Sequence, residues 1–206
     1  SSSNLILEEV NINKANDRLK SIPEPIGSDN SEKIIWQIHN KYLITEINSG
    51  IVIIDQHVAH ERVLYEQAKS AIEGRGLPSQ KLLFPETIKF SSEEYLLLPD
   101  ILPYLSKIGF EIREFGKDTI IVEGIPSDME VGKEINVIKE IVEKYSHSRE
   151  INSSFIEYMT STYACKASVK AGDRLSSHER RFLVDKLFAT EHPYFCPHGR
   201  PVIINL

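Results

Sequence analysis

The sequence predicts an α+β fold: an antiparallel sheet flanked by helices, with a smaller α/β unit inserted in its middle. Three observations carry this. Short apolar runs at 34–38, 42–47 and 51–55 are separated by the turn formers His39-Asn40-Lys41 and Asn48-Ser49-Gly50, the signature of a β-meander. Another apolar run, Val202-Ile203-Ile204-Asn205-Leu206, needs a sheet partner, and the meander can supply one. Between them, from about 79 to 146, extended and helical patterns alternate with a rhythm of their own.

In order, residues 1–31 read as the tail of a linker, rich in Asn, Lys, Ser and Glu, with Pro23 and Pro25 and no burial pattern. Leu5, Ile6, Leu7, Val10 and Ile12 leave open an added strand or a docking segment. The meander then runs into Ile51-Val52-Ile53-Ile54-Asp55, a buried strand ending in a carboxylate. A helix follows from Gln56 to about Ile72, with Gly74 and Gly76 to end it. Residues 81–90 are extended, and Ser91 or Ser92 caps the next helix. Pro99 and Pro103 are expected to split that helical stretch in two. Residues 110–123 form a hairpin around Phe115-Gly116-Lys117-Asp118. Residues 134–145 are an amphipathic helix with Ile135, Ile138, Ile141 and Val142 on one side. Helices follow over 153–169, ending near Gly172, and from a capping box at Ser176-Ser177-His178-Glu179 to about Phe188. A loop over 193–201 leads into the apolar run 202–206.

Composition narrows the function. With 206 residues the chain can form one large domain or two small ones, and 41% apolar with 26% charged residues is an ordinary globular balance. No apolar run approaches the ~18 residues of a membrane span. Ser1-Ser2-Ser3-Asn4 carries no basic, signal-like region, so no secretory leader is expected. A net charge of −6 argues against a free-standing, tight nucleic-acid binder, because neutralising phosphates needs an excess of Lys and Arg. It leaves room for a nuclease brought to DNA by a partner, and for carboxylates whose charge a bound cation offsets. Two cysteines, Cys165 and Cys196, fit soft metal ligands better than a disulfide framework.

Two stretches carry chemistry. In Asp55-Gln56-His57-Val58-Ala59-His60-Glu61-Arg62, His57 and Glu61 are four apart and share a helix face, with Asp55 at its mouth. Alone, this stretch is read more simply as a helix cap and a solvated face. Cys196-Pro197-His198-Gly199-Arg200-Pro201 places a thiol and an imidazole two apart in a constrained loop, which suits a tetrahedral zinc site. Cys165, inside a helix, is by itself an ordinary small core residue. Together the three stretches supply one ligand set, His57, Glu61, Cys165, Cys196 and His198, with Asp55 beside it and His60 outside it. His60-Glu61 lacks the zincin spacing, which disfavours a metalloprotease.

Here a resemblance becomes specific. Residues 55–66 resemble the Asp-Gln-His-Ala-x-x-Glu-x-x-x-x-Glu endonuclease motif of MutL-family mismatch-repair proteins. Ala164-Cys165-Lys166 resembles that family's Ala-Cys-Arg motif, and residues 196–201 match its Cys-Pro-His-Gly-Arg-Pro motif in full. Val58 stands where the family has Ala, and Lys166 where it has Arg; neither change removes a ligand. Gln80-Lys81-Leu82-Leu83-Phe84-Pro85 is similar to the family's sliding-clamp docking motif, with Gln80, Leu82, Leu83 and Pro85 as its contacts.

The resemblance implies a dimerisation and endonuclease subdomain from 32–78 and 147–206, with a regulatory subdomain at 79–146. It implies metal-dependent nicking of duplex DNA in mismatch repair, with Asp55, His57 and Glu61 catalytic. Zinc would sit on His57, Glu61, Cys165, Cys196 and His198, and manganese or magnesium would serve catalysis through Asp55 and Glu61. Glu66, Lys166 and Arg200 would touch phosphate or support the ligands. Expected partners are a second identical chain, duplex DNA held weakly by this domain in isolation, the replication sliding clamp, and a mismatch-recognition protein of the MutS family. The linker at 1–31 would lead from an ATPase domain. The expected location is the cytoplasm of a bacterium, at the nucleoid. The alternative is a non-catalytic, zinc-stabilised module for dimerisation and clamp binding.

Overall fold

The structure, a computed structural model, describes residues 34–47, 50–170 and 172–205; the linker expected at 1–31 lies outside them. The fold is α+β, with two antiparallel sheets. The first sheet holds β1 (Trp36–Ile38), β2 (Tyr42–Ile47), β3 (Gly50–Asp55) and β7 (Ile203–Asn205), in the order β1-β2-β3-β7. The apolar run at 202–206 thus pairs with the meander, setting Ile54 opposite Ile203 and Val52 opposite Asn205. The second sheet holds β4 (Ser79–Lys89), β5 (Glu111–Glu114) and β6 (Thr119–Pro126), with β6 in the middle.

Strand alternation sorts the first sheet into two faces. Leu43, Val52, Ile54 and Ile203 point inward to a core shared with Val58, Leu183, Leu187 and Cys196. On the other face, one row of cross-strand partners runs Trp36, Ile44, Ile53, Ile204 across all four strands. Trp36, Ile38, Ile51 and Ile204 are exposed. An apolar row spanning a whole sheet in contact with solvent is unusual for a surface with no partner.

Helix α1 (Gln56–Glu73) joins the two halves. Asp55 caps it by accepting from the Val58 amide at 3.1 Å, and the Gly74 amide closes it on the Ser70 carbonyl at 3.0 Å. Its Val58, Ala59 and Val63 enter the core of the first sheet. Its Leu64, Tyr65 and Ala68 enter a second core with Ile88, Ile101, Ile120 and Val137. One helix therefore belongs to both cores, and Glu61 lies within the stretch that serves the first.

The remaining helices are α2 (Ser92–Tyr95), α3 (Leu98–Lys107), α4 (Glu134–Ser148), α5 (Ser153–Ala167) and α6 (Ser177–Phe188). Ser91 and Ser176 both build the reciprocal capping box. Two expectations are corrected in part. The stretch 92–107 is two short helices as expected, but only Pro99 lies at the break, which falls at Leu96-Leu97, and it opens α3 within its first turn; Pro103 lies inside α3 and does not divide it. Pro99 loses nothing there because first-turn amides have no helical acceptor. The carbonyl that Pro103 cannot serve belongs to Pro99, which is exposed to water. The second correction is that α5 stops at Ala167, short of Gly172, because the backbone of Val169 is drawn off to His57 and His60 of α1.

Candidate metal centre

Glu61 is the centre of the site. It is completely buried on α1, a position a carboxylate rarely takes without partners. Its Oε1 accepts from His198 Nδ1 at 2.6 Å, while Oε2 has no hydrogen-bond partner among the described residues. Arg200 Nη2 is 3.6 Å and His57 Nε2 4.0 Å from Oε2. Such an orphaned buried oxygen is destabilising unless something else meets it. The ligand atoms of Glu61, Cys196 and His198 all lie within 4.8 Å of one another. Sulfur, imidazole nitrogen and carboxylate oxygen converging on one point form a donor set that fits a divalent cation such as zinc.

The loop that brings Cys196 and His198 is tightly closed. The Gly199 amide bonds the Cys196 carbonyl at 2.9 Å, a turn with Pro197 at its second position and Gly199 at φ +78°. The Cys196 amide bonds the Arg200 carbonyl, Val202 bonds Tyr194, and Phe195 bridges Pro201. The loop thus behaves as a small hairpin tip feeding β7.

His57 is held from the end of α5. Its Nδ1 lies 2.9 Å from the Val169 carbonyl and 3.1 Å from Ser168 Oγ. A carbonyl can only accept, so Nδ1 carries the proton and Nε2, toward Glu61, keeps its lone pair free for a cation. His60 serves differently, since its Nδ1 accepts the Val169 amide at 3.0 Å. Burial, followed by the charge of His57, lowers the pKa of His60 to about 4. It is a structural imidazole that ties α1 to the end of α5.

Cys165 stands apart from the Glu61, Cys196 and His198 group and connects to His57 through Ser168, whose Oγ donates to the Cys165 carbonyl at 3.1 Å. Burial raises its thiol pKa, Glu61 adds to that, and Lys166 and Arg200 oppose it. Asp55 is likewise outside the group, at the helix mouth, with Oδ1 committed to the cap. Lys166 pairs with Glu140 at 3.3 Å. Glu66 faces elsewhere, to Arg62 and to the Glu191 and His192 amides. Ser168 and Val169 left no mark in the sequence pattern, because their partner lies more than a hundred positions away and a serine next to a helix end is commonplace.

The 80–85 stretch lies on β4, where the pairing with β6 shifts register between Lys81 and Glu86. Leu82 turns into the core, and the Gln80 side-chain amide donates to the Met129 carbonyl at 2.7 Å. Leu83 and Phe84 bulge outward, 93% and 83% exposed. The apolar side chains offered to solvent are therefore Leu83 and Phe84, with Pro85 beside them, and Leu82 is not among them.

Comparison with known proteins gives consistent matches. Residues 35–175 match a family described as the MutL C terminal dimerisation domain. The DNA mismatch repair protein MutL of Pelodictyon phaeoclathratiforme is 44% identical over 176 residues, which is 85% of this chain and 28% of that protein. The MutL of Prosthecochloris aestuarii is 42% identical over 185 residues, 89% of this chain and 29% of that protein. The MutL of Chloroherpeton thalassium is 44% identical over 176 residues, 85% of this chain and 28% of that protein. The chain thus spans less than a third of the length of these relatives.

Proposed function

The chain belongs to the family of MutL C-terminal dimerisation domains, and from that premise we propose that it also nicks duplex DNA as a metal-dependent endonuclease. The observation that carries the proposal is the buried Glu61 carboxylate, with one oxygen unpartnered, facing the Cys196 thiol and the His198 imidazole. Such an arrangement is unfavourable in a purely structural core and useful around a cation.

In this reading Glu61, Cys196 and His198 hold zinc, with His57 and Cys165 nearby to complete the set, and Asp55 with Glu61 offers oxygens to manganese or magnesium. A divalent cation bound there would supply Lewis-acid polarisation of a phosphodiester oxygen and a lowered pKa for an attacking water. The chain's own residues do the positioning. The Ser168–Val169 turn fixes the His57 ring and its tautomer. Arg200, half exposed beside Glu61, is placed to meet a phosphate oxygen. Asp55 caps the helix through Oδ1, and in this reading its other oxygen would meet the cation.

The test is nicking of supercoiled plasmid in manganese by the wild type and Asp55→Asn. Asn caps a helix as well as Asp, so the variant's stability should lie within about 0.5 kcal/mol of the wild type. Nicking should nevertheless fall at least about a hundredfold, the scale of a lost charge at a reacting centre. Equal nicking by the two proteins would remove Asp55 from the mechanism. With a net charge of −6, the isolated domain should nick weakly and lose that activity as salt rises. The second reading is a zinc-stabilised, non-catalytic module, favoured by the capping duty of Asp55. Stoichiometric zinc without any nicking would decide for it.

Dimerisation is assigned to the apolar row of the first sheet, with a second copy of this chain as the occupant, in keeping with the dimerisation family to which the chain belongs. The segment 79–146 is assigned a regulatory role, and Leu83, Phe84 and Pro85 the contact with the sliding clamp. Replacing Leu83 and Phe84 together by Ala should abolish clamp binding in a pull-down or by surface plasmon resonance. It should leave the melting temperature unchanged, because both side chains already lie in water. Duplex DNA and a mismatch-recognition partner of the MutS family complete the proposed assembly.

A further inference from the structure

We infer that Glu66 is a positioning residue of the metal centre, pinning the loop that carries Cys196 and His198 to the helix that carries Glu61. The inference rests on the metal-centre reading above and gives this carboxylate a role within it.

Glu66 lies five residues after Glu61, about 140° further round the helix, so the two carboxylates cannot converge on one ion. Its oxygens go instead to the chain just before Cys196. Oε2 accepts the Glu191 amide at 2.8 Å, and Oε1 accepts the His192 amide at 3.2 Å. Arg62, one turn earlier and buried, pairs with Oε1 and fixes the carboxylate from behind. Bonds from backbone amides to a charged acceptor are among the stronger hydrogen bonds.

The far side of the loop is held as well. The Asp55 amide bonds the Val202 carbonyl at 2.9 Å, and the Val202 amide returns to Tyr194 at 2.8 Å. The ligand loop is thus fastened on one side to α1 by Glu66 and on the other to the end of β3. The same strand-helix pair presents Asp55, His57 and Glu61. Releasing the Glu66 fastening leaves every ligand in place chemically, but the loop must then be ordered by the cation itself, and affinity falls.

The test uses the full chain in a zinc titration against a chromophoric chelator, with amide hydrogen exchange at Glu191 and His192. Glu66→Gln should weaken zinc binding about 10–100-fold, the usual scale for groups that orient ligands, and speed exchange at both amides. His192→Pro removes one fastening from the loop side and keeps the Arg62–Glu66 pair. It should weaken zinc in the same direction even if Glu66→Gln folds poorly. Val137→Ala, on the buried face of α4, loosens the fold away from the loop and should leave zinc affinity unchanged. Undiminished zinc binding by Glu66→Gln or His192→Pro beside a zinc-binding wild type would overturn the inference alone. Equal weakening by Val137→Ala would do the same. A wild type that binds no zinc would overturn the metal-centre reading and this inference with it.

Discussion

Glu61→Gln is expected to abolish high-affinity zinc binding and, at the same time, to make the metal-free protein more stable. The carboxylate is wholly buried, and one oxygen has no hydrogen bond among the described residues and only the half-exposed Arg200 at 3.6 Å, so the metal-free fold carries a desolvation penalty that is partly offset. Glutamine has the same shape, can still accept the His198 bond at one oxygen, and removes the charge. Removal of the buried charge is worth about 1 kcal/mol, or roughly 2–4 °C for a chain of this size. The opposite effect appears on loading: zinc at about a hundred times its dissociation constant should raise wild-type stability by about 2.7 kcal/mol and leave the variant where it was. Thermal melts with a chelator and with zinc measure both halves. A variant that keeps zinc would show that Glu61 is not a ligand, and one that melts lower without zinc would show that its buried charge carries no net penalty.

Ile53→Glu should convert the dimer to monomers. Ile53 lies on one of the two inner strands of the apolar row, between Ile44 and Ile204. A two-fold pairing of this face would bring the substitution in twice, with each carboxylate stripped of water against Trp36 and its neighbours. A loss of at least about a hundredfold in dimer affinity, about 3 kcal/mol, is the expected scale. Sedimentation velocity reads the mass, and far-UV circular dichroism checks that the sheet persists. A dimer that survives the change would place the interface elsewhere.

The parts of the fold legible in the sequence are those written locally. The meander, the cap at Ser91, the capping box at Ser176 and the amphipathic helix expected over 134–145 all follow from periodicities and caps within a few residues. The pairing of β3 with β7 was also legible, because an apolar terminal run has few other places to go. Where helix ends differ from expectation, one difference has a non-local cause. Helix α5 stops early because His57 and His60 claim both polar groups of Val169, and no local pattern encodes that. The break before α3 falls at Leu96-Leu97, since proline is comfortable in a first turn.

The site divides in the same way. Residue types at the right spacing pointed to Glu61, Cys196 and His198, which the fold brings together. Asp55, His57 and Cys165 are outside that cluster, with His57 Nε2 4.0 Å from the Glu61 carboxylate. The inward turn of Leu82 was hidden because a register shift in β4 changes which side chains face out, and a shift of one residue flips a strand's pattern.

The joining of β7 to β3 also sets an order of events during synthesis. A nascent chain that has emerged only as far as residue 190 already has Glu61 on its helix, but neither Cys196 nor His198. The ligand loop and the strand that seats it are translated together, more than a hundred residues after the helix they complete. Since domains assemble as the ribosome delivers them, this centre stays open until its closing strand is made. A stalled or truncated product ending before residue 196 would therefore carry Glu61 on its helix without the thiol and imidazole that face it.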